Sequence, residues 1–168
     1  EFRRVLFRSG WRGRAGDFPG VRPRRAFALG LLAGVVSFVI AIYWTSTVVA
    51  TFGGLATPVA IVAMLLLAIY MALYPALTAV LTSRAVSRIG SPGLLVAPAA
   101  WVATEFLRGI LFGGFPWVPL GNSQVTVLPV AQLASVLGVY GLSGLVAAVN
   151  VLLAMALVSS GQIGRAHV

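Results

Sequence analysis

The sequence predicts an all-α polytopic membrane protein, built as a bundle of about four transmembrane helices. Of its 168 residues, 60% are hydrophobic and only 9% are charged, and the mean hydropathy is +1.01. Soluble domains average about 45–50% apolar and about 25% charged residues. The apolar residues are also gathered into stretches of about 20, the length that crosses a bilayer as a helix. Composition and pattern therefore predict the same fold class.

Four membrane spans are predicted, at residues 26–44, 58–81, 94–112 and 139–158. Each must be a helix, because lipid offers the backbone no hydrogen-bond partners. Between the third and fourth spans lies a loop rich in glycine, proline and tryptophan. It is followed by the apolar segment 125–137, which is too short to span the membrane. We expect this segment to be either an interfacial helix or a re-entrant piece.

The arginines predict the orientation of the bundle. The net charge is +9, with three arginines in 22–25 and two in 82–93, whereas the connections 45–57 and 113–138 contain no basic residue. Cytoplasmic loops of membrane proteins carry the excess of Lys and Arg. We therefore expect the N-terminal side and the 82–93 connection to be cytoplasmic. The 113–138 loop is then expected on the outer side.

Both ends of the chain read as translated sequencing adapter. Residues 1–9 (EFRRVLFRS) and 163–168 (IGRAHV) correspond to the two strands of a widely used adapter, and we expect neither to belong to the fold. Without their four arginines and one glutamate the net charge falls from +9 to +6, so no nucleic-acid partner is predicted. The expected organisation is a basic cytoplasmic segment at 10–25, a transmembrane domain at 26–158 and a cytoplasmic end at 159–162.

Cysteine and histidine chemistry is nearly absent from this sequence. There is no cysteine, and the one histidine, His167, lies in the polar tail. The chain therefore has no thiolate metal site and no cysteine nucleophile. We predict no metal, no cofactor and no catalytic residue within these 168 residues.

One acid and one base interrupt the third predicted span. Glu105 and Arg108 are three residues apart, which places them on one helix face within pairing distance. An isolated charge at the centre of a bilayer costs about 2.5–3.5 kcal/mol or more, so we expect the two side chains to neutralise each other or to face a wet cavity. A structural intramembrane pair and a functional site are equally compatible with this pattern.

The loop after this pair cannot continue the helix, because it contains Gly113, Gly114 and two prolines. Phe115 and Trp117 give it an apolar surface that can contact acyl chains, and polar residues follow at 122–124. From composition alone, an ordinary external turn with interfacial aromatic residues is the favoured interpretation.

Several motifs resemble one family. They occur in order between about residues 22 and 158, and the clearest are APAAW at 97–101, TEFLRG at 104–109, GFPW at 114–117 and GNSQ at 121–124. Together they are similar to the membrane domain of bacterial apolipoprotein N-acyltransferases.

This resemblance implies an acyltransferase of lipoprotein maturation in the bacterial inner membrane. The family transfers an acyl chain from a phospholipid donor, through a cysteine thioester, to the N-terminal cysteine of a diacylated lipoprotein acceptor. The chemistry belongs to a nitrilase-like domain with a Glu-Lys-Cys triad, which this chain lacks. We therefore expect the isolated chain to be inactive.

The resemblance also implies a lateral entrance for membrane lipid and lipoprotein beside the loop. The candidate residues for this entrance are Phe115, Pro116, Trp117, Asn122 and Gln124. Glu105 and Arg108 would support it as a structural pair. A non-catalytic membrane bundle, such as part of a transporter, is the alternative, since broken helices and intramembrane charges also fit that class.

Overall fold

The computed structural model describes the backbone of residues 21–166 and the side chains of residues 21–157. Residues 1–9, most of the basic segment 10–25 and the last two residues lie outside the described part. Within the described part, the chain forms six α-helices and three short 3₁₀ turns, and no strand. The helices are α1 (Pro23–Ile42), α2 (Trp44–Gly53), α3 (Thr57–Ile89), α4 (Val96–Arg108), α5 (Leu128–Ala131) and α6 (Ala134–Ala166).

Three of the described helices are long and apolar enough to cross a membrane, at Pro23–Ile42, Thr57–Ile89 and Ala134–Leu157. The all-α membrane class is therefore confirmed, but the count of four spans is not. The span predicted at 94–112 is a 13-residue helix, α4, preceded by a 3₁₀ turn. At 1.5 Å per residue α4 is about 20 Å long, which is shorter than a hydrocarbon layer of about 30 Å.

The connection predicted at 45–57 is also different, because most of it is helical. Only Tyr43 separates α1 from α2. Gly54 ends α2 with a left-handed backbone (φ 65°), and Pro58 lies in the first turn of α3. These are the positions at which glycine and proline commonly end and begin helices.

Small residues let α1 and α3 pack closely. A Cβ atom added to Gly30 would lie 2.8 Å from the Cα of Ala76, and one added to Gly34 would lie 2.9 Å from the Cβ of Ala72. Such contacts are typical of helix pairs in membranes, where small residues allow the backbones to approach. Further along the same interface, a cluster of buried residues forms the apolar core, namely Ile42, Met64, Ala68 and Met71.

The two ends of the α1–α3 pair differ in chemistry. At one end, the Ser83 hydroxyl donates a hydrogen bond to the Val21 carbonyl. This bond brings the arginines at 22–25 to the same end as those at 84 and 88. At the other end lie Tyr43 and Trp44, whose amphipathic rings suit a membrane interface.

The segment predicted as interfacial or re-entrant, 125–137, contains the four-residue helix α5 and the first turn of α6. Leu128 and Val136 are 70% and 83% exposed. Gly138 then interrupts α6 with a positive φ of 66°. The fourth predicted span, 139–158, lies within α6.

Candidate functional site

The Glu105–Arg108 pair lies at the end of α4, where the chain leaves helical geometry. Glu105 is 6% exposed and Arg108 is 2% exposed. Their closest charged atoms, Oε1 of Glu105 and Nη2 of Arg108, are 3.9 Å apart. This separation is within the range of an ion pair but longer than that of a strong charge-assisted hydrogen bond. The position is different from the prediction, because α4 is not a full span and the pair occupies its last turn.

Both side chains are directed at the loop that follows them. Oε1 of Glu105 accepts a hydrogen bond from the backbone N–H of Leu120, at 2.7 Å. Nη2 of Arg108 donates to the carbonyl of Val118, at 3.5 Å. The guanidinium of Arg108 also lies over the ring of Phe38, 5.2 Å from its centroid. The pair therefore connects α4 both to the returning loop and to α1.

The loop turns back through a close backbone contact. The N–H of Phe115 donates to the carbonyl of Arg108, at 3.0 Å. Gly114 has a φ of 72°, and a Cβ there would overlap the Gly109 carbonyl, so glycine is required at this position. Phe112 and Val118 also have positive φ values, 53° and 54°. For a bulky and a β-branched residue this backbone is strained, and such strain persists only where surrounding contacts hold it.

A second polar contact fixes the loop to α6. The backbone N–H of Gly121 donates to Oγ of Ser143, at 2.8 Å, and both residues are buried. A Cβ on Gly121 would overlap the carbonyl of Val139. The loop is thus held from two sides, by α4 and by α6.

The aromatic residues of the loop form a stacked group at the end of the bundle. Phe115 is half-buried and packs against the core cluster around Ile42 and Met71. Trp117 stacks on Phe115 with centroids 5.6 Å apart and lies 6.2 Å from the ring of Trp44. Because Trp117 is 50% exposed, this group presents an apolar surface to its surroundings.

The structure places the five predicted entrance residues in different surroundings. Phe115, Pro116 and Trp117 lie on the aromatic side, with Pro116 exposed. Asn122 is exposed and lies at the edge of a cavity beside the charged pair. Gln124 is in neither place: it does not line the cavity, and its amide donates to the hydroxyl of Ser123.

This cavity is bounded by α1, α3, α4 and the loop, and has a volume of about 910 Å³. Glu105 and Arg108 line one part of it. A hydroxyl pair, Thr78 with Thr104 at 2.7 Å, bridges α3 and α4 in its wall. The remaining wall is largely apolar and includes Gly34 and Ala79 of the α1–α3 pair.

Sequence reasoning did not single out several of these residues as parts of the site. Trp101 lines the cavity, Ser143 holds the loop and Phe38 contacts the arginine. Trp101 could have been found, since it lies four residues before Glu105 and seven before Arg108 and so shares their helix face. Ser143 and Phe38 could not, because only the tertiary fold brings them to the loop. Among the described residues, no group of His, Cys, Asp and Glu could hold a metal ion.

Comparison with known proteins gives one family. The family model of the apolipoprotein N-acyltransferase N-terminal domain matches residues 17–152. The chain is 43% identical, over 131 residues, to an apolipoprotein N-acyltransferase of Geobacter metallireducens. The aligned part is 78% of this chain and 25% of that relative. It is 40% identical, over 138 residues, to the apolipoprotein N-acyltransferase of Shewanella oneidensis. The aligned part is 80% of this chain and 26% of that relative.

The chain therefore spans about a quarter of the length of the curated relatives that it matches. The match includes the arginine-flanked start of α1, the Glu105–Arg108 pair and the whole aromatic loop. The chain belongs to the apolipoprotein N-acyltransferase family.

Proposed function

We propose that this chain is a membrane-domain segment of an enzyme that N-acylates the diacylglyceryl-cysteine of bacterial lipoproteins, with phospholipid as the acyl donor. In this proposal the enzyme acts in the inner membrane, and the 113–138 loop lies on the outer side. Family membership supports this proposal over a transporter segment. The placement of five arginines at the opposite end from Trp44 and Trp117 supports the orientation.

The observation that carries the role of this segment is the exposed aromatic surface on a firmly held loop. Trp117 is half exposed, yet it stacks on Phe115, which is anchored in the core. The backbone after Trp117 is held by the side chains of Glu105, Arg108 and Ser143. Before it, the N–H of Phe115 donates to the Arg108 carbonyl. A rigid apolar surface of this kind suits repeated contact with acyl chains, because little conformational entropy is lost on each contact.

In this proposal the loop lines the entrance by which a two-chain lipid and the lipoprotein reach the catalyst. Phe115, Pro116 and Trp117 contact the acyl chains, and Asn122 and Gln124 offer hydrogen bonds to polar groups at the membrane surface. Glu105 and Arg108 act through the loop backbone. None of these residues takes part in covalent chemistry.

The test is kinetic and uses the complete enzyme that carries this segment. Trp117→Ala removes the exposed ring while leaving the polar contacts of the loop in place. We expect KM for a diacylglyceryl-peptide to rise about threefold to tenfold, since one partly buried aromatic contact is worth about 0.5–1.5 kcal/mol, with a smaller change in kcat. Phe52→Ala is the matched control, because Phe52 is 84% exposed and lies at the opposite end of α2 from Trp44, the residue that contacts Trp117. Equal kinetics for wild type and Trp117→Ala would contradict the proposal and show that the loop is an ordinary external turn.

A second measurement concerns the chain by itself. It has no cysteine, so it cannot form the thioester that the family's acyl transfer requires. We expect no acylation of a diacylglyceryl-peptide by the purified chain in phospholipid nanodiscs. Detectable acylation would overturn the assignment of catalysis to a separate domain.

A further inference from the structure

Five arginines gather at one end of the described bundle, which we call the arginine end. Three of them, at 22, 24 and 25, lie at the start of α1, and two, Arg84 and Arg88, lie in the last turns of α3. All five are exposed. The only acid among the described residues is Glu105, which pairs with Arg108 in the last turn of α4. The arginine end therefore carries positive charge without a counter-charge in the described part of the chain.

The packing of α1 against α3 brings these two groups of arginines together. The two helices are antiparallel, so the first turn of α1 is level with the last turns of α3. The hydroxyl of Ser83 donates a hydrogen bond to the carbonyl of Val21. Arg22 directly follows Val21 and Arg84 directly follows Ser83. Each group thus adjoins the same interhelical hydrogen bond.

Neither helix stability nor membrane orientation accounts for this convergence. Positive charges at the start of a helix oppose its dipole, and the first turn of α1 contains no acid to offset its arginines. Orientation depends on the excess of basic residues in each connection, and it is satisfied without the two connections meeting. Asp17 precedes α1, outside the described residues, and supplies one negative charge against five positive ones. The remaining charge favours a negatively charged partner from outside the bundle.

Apolar side chains beside the arginines indicate where that partner comes from. Val21, Ile89 and Leu95 are all exposed, and Ile89 directly follows Arg88. Leu95 ends a 3₁₀ turn that packs against the end of α3, since a Cβ on Gly93 would overlap the backbone there. A small soluble anion would leave these apolar surfaces uncovered. A phospholipid presents a phosphate directly beside acyl chains, and so matches both parts of the surface.

The chemistry of arginine restricts the headgroup. A guanidinium presents its N–H groups in a planar fork that binds phosphate oxygens in pairs. A zwitterionic phospholipid also brings a cationic amine, which the neighbouring arginines repel. Clusters of about four to eight basic residues beside a membrane helix are typical of anionic-lipid binding. We propose that the arginine end binds the phosphate of an anionic phospholipid, whose chains lie along Val21, Ile89 and Leu95.

This site is separate from the entrance described above. Trp44 follows the far end of α1, and Trp117 of the loop lies 6.2 Å from it. The loop and the arginine end are therefore at opposite ends of the α1–α3 pair. A lipid bound at the arginine end is not the one that contacts the loop, and the inference holds whether or not the complete protein transfers acyl chains.

The experiment measures which lipids surround each end of the bundle. The chain has no cysteine, so one introduced cysteine carries a fluorophore at a unique position. Ser87→Cys places it between Arg84 and Arg88, and Thr51→Cys, exposed on α2, is the matched control at the other end. Each labelled full chain is placed in phosphatidylcholine nanodiscs that contain a small fraction of nitroxide-labelled phosphatidylglycerol or phosphatidylcholine. Nitroxide quenches only at short range, and both leaflets have the same composition, so the orientation of the chain does not affect the result.

We expect phosphatidylglycerol to be enriched over phosphatidylcholine about fivefold or more around Ser87→Cys, since one arginine at an anionic surface contributes about that factor. We expect no such preference around Thr51→Cys. Inorganic phosphate in excess should not displace the lipid, because it has no chains to contact the apolar residues.

Variants of the α3 arginines test whether they form the site. Arg84→Gln combined with Arg88→Gln removes two of the five charges and should lower the enrichment to about twofold or less. Arg84→Lys combined with Arg88→Lys is the matched control, because it keeps both charges and should retain a clear preference for phosphatidylglycerol. Thermal unfolding in nanodiscs shows whether each variant is folded, and no loss is expected because both positions are exposed.

Three results would overturn the proposal. The first is equal quenching by the two lipids at Ser87→Cys, or an equal preference at Thr51→Cys. The second is an enrichment that the folded glutamine variant retains, since the α3 arginines would then not contribute. The third is displacement by inorganic phosphate, which would show a general anion surface. A preference confined to Ser87→Cys, lost in the glutamine variant and kept in the lysine variant, would establish the site.

Discussion

The α1–α3 interface and the junction of α4, the loop and α6 are held together by different physics. Between α1 and α3 the contacts are almost entirely apolar, and close approach at Gly30 and Gly34 provides the stabilisation. At the junction, short-range polar contacts dominate, from Glu105, Arg108 and Ser143 to loop backbone atoms. The first region is two regular helices, whereas the second is irregular chain.

This difference follows from the hydrogen-bond partners that each backbone requires. A helix satisfies its own N–H and C=O groups, so two helices in a membrane gain only from close packing. A loop that leaves helical geometry frees backbone groups, and these require partners from side chains or water. Charged and hydroxyl side chains are therefore found where the helix ends, and glycines are found where helices meet. The comparison also predicts which substitutions each region tolerates.

The largest effect is expected at the junction, from Arg108→Ala. This change leaves Glu105 buried without its counter-charge and removes the donor to the Val118 carbonyl. Breaking a buried ion pair by removing one partner costs about 3–5 kcal/mol. We expect the free energy of unfolding, measured by titration with a denaturing detergent in mixed micelles, to fall by about that amount, about 3–5 kcal/mol.

A double variant tests whether charge is the cause. Glu105→Gln combined with Arg108→Met removes both charges and keeps an amide oxygen that can accept from the Leu120 N–H. Replacing both members of a buried pair is far less costly than removing one, so most of the stability should return. If the double variant is as unstable as Arg108→Ala, the arginine acts through Val118 and Phe38 rather than through Glu105.

A smaller effect is expected in the α1–α3 interface, from Gly34→Leu. Even a Cβ at this position would lie 2.9 Å from both Ala72 Cβ and Pro75 Cγ, so the helices must move apart. Overpacking of this kind typically costs about 1–3 kcal/mol. The same detergent titration measures the loss.

Ala28→Leu is the control for this interface. It adds the same type of side chain to an exposed position of α1 and should change stability by about 0.5 kcal/mol or less, as surface substitutions usually do. Equal losses for Gly34→Leu and Ala28→Leu would mean that close approach of α1 and α3 does not stabilise the bundle.

The same contrast explains how much of the molecule could be predicted from the sequence. Long apolar stretches predicted the helices that became α1, α3 and α6, because span length and hydropathy are properties of contiguous residues. The spacing of Glu105 and Arg108 likewise predicted their pairing. The span predicted at 94–112 is not confirmed, because hydropathy continues past Arg108 whereas the helix ends there, with Gly114 and a strained Phe112 turning the chain back.

What could not be predicted is the identity of the partners across the fold. The loop's contact with Ser143 joins residues 22 positions apart, and Arg108 contacts Phe38, which lies far earlier in the chain. No local pattern indicates either partner. The cavity was equally hidden, since its wall combines four separate segments. The chemistry of the loop residues suggested them as candidates, but the tertiary structure was needed to place the aromatic residues at 115–117 apart from Asn122 at the cavity.

The smallest of the three effects is expected from Ser143→Ala, which tests the second polar contact of the junction. The change removes the acceptor for the buried Gly121 N–H, at 2.8 Å, and alters almost nothing else. An unsatisfied buried donor costs about 1–2 kcal/mol, unless water can reach it.

Ser135→Ala is the matched control, because Ser135 is exposed and bonds only to the Gln132 carbonyl of its own turn. Detergent titration gives the stability, and amide hydrogen exchange at Gly121 should accelerate in Ser143→Ala alone. Unchanged exchange at Gly121 would show that the Glu105 and Arg108 contacts hold the loop without α6.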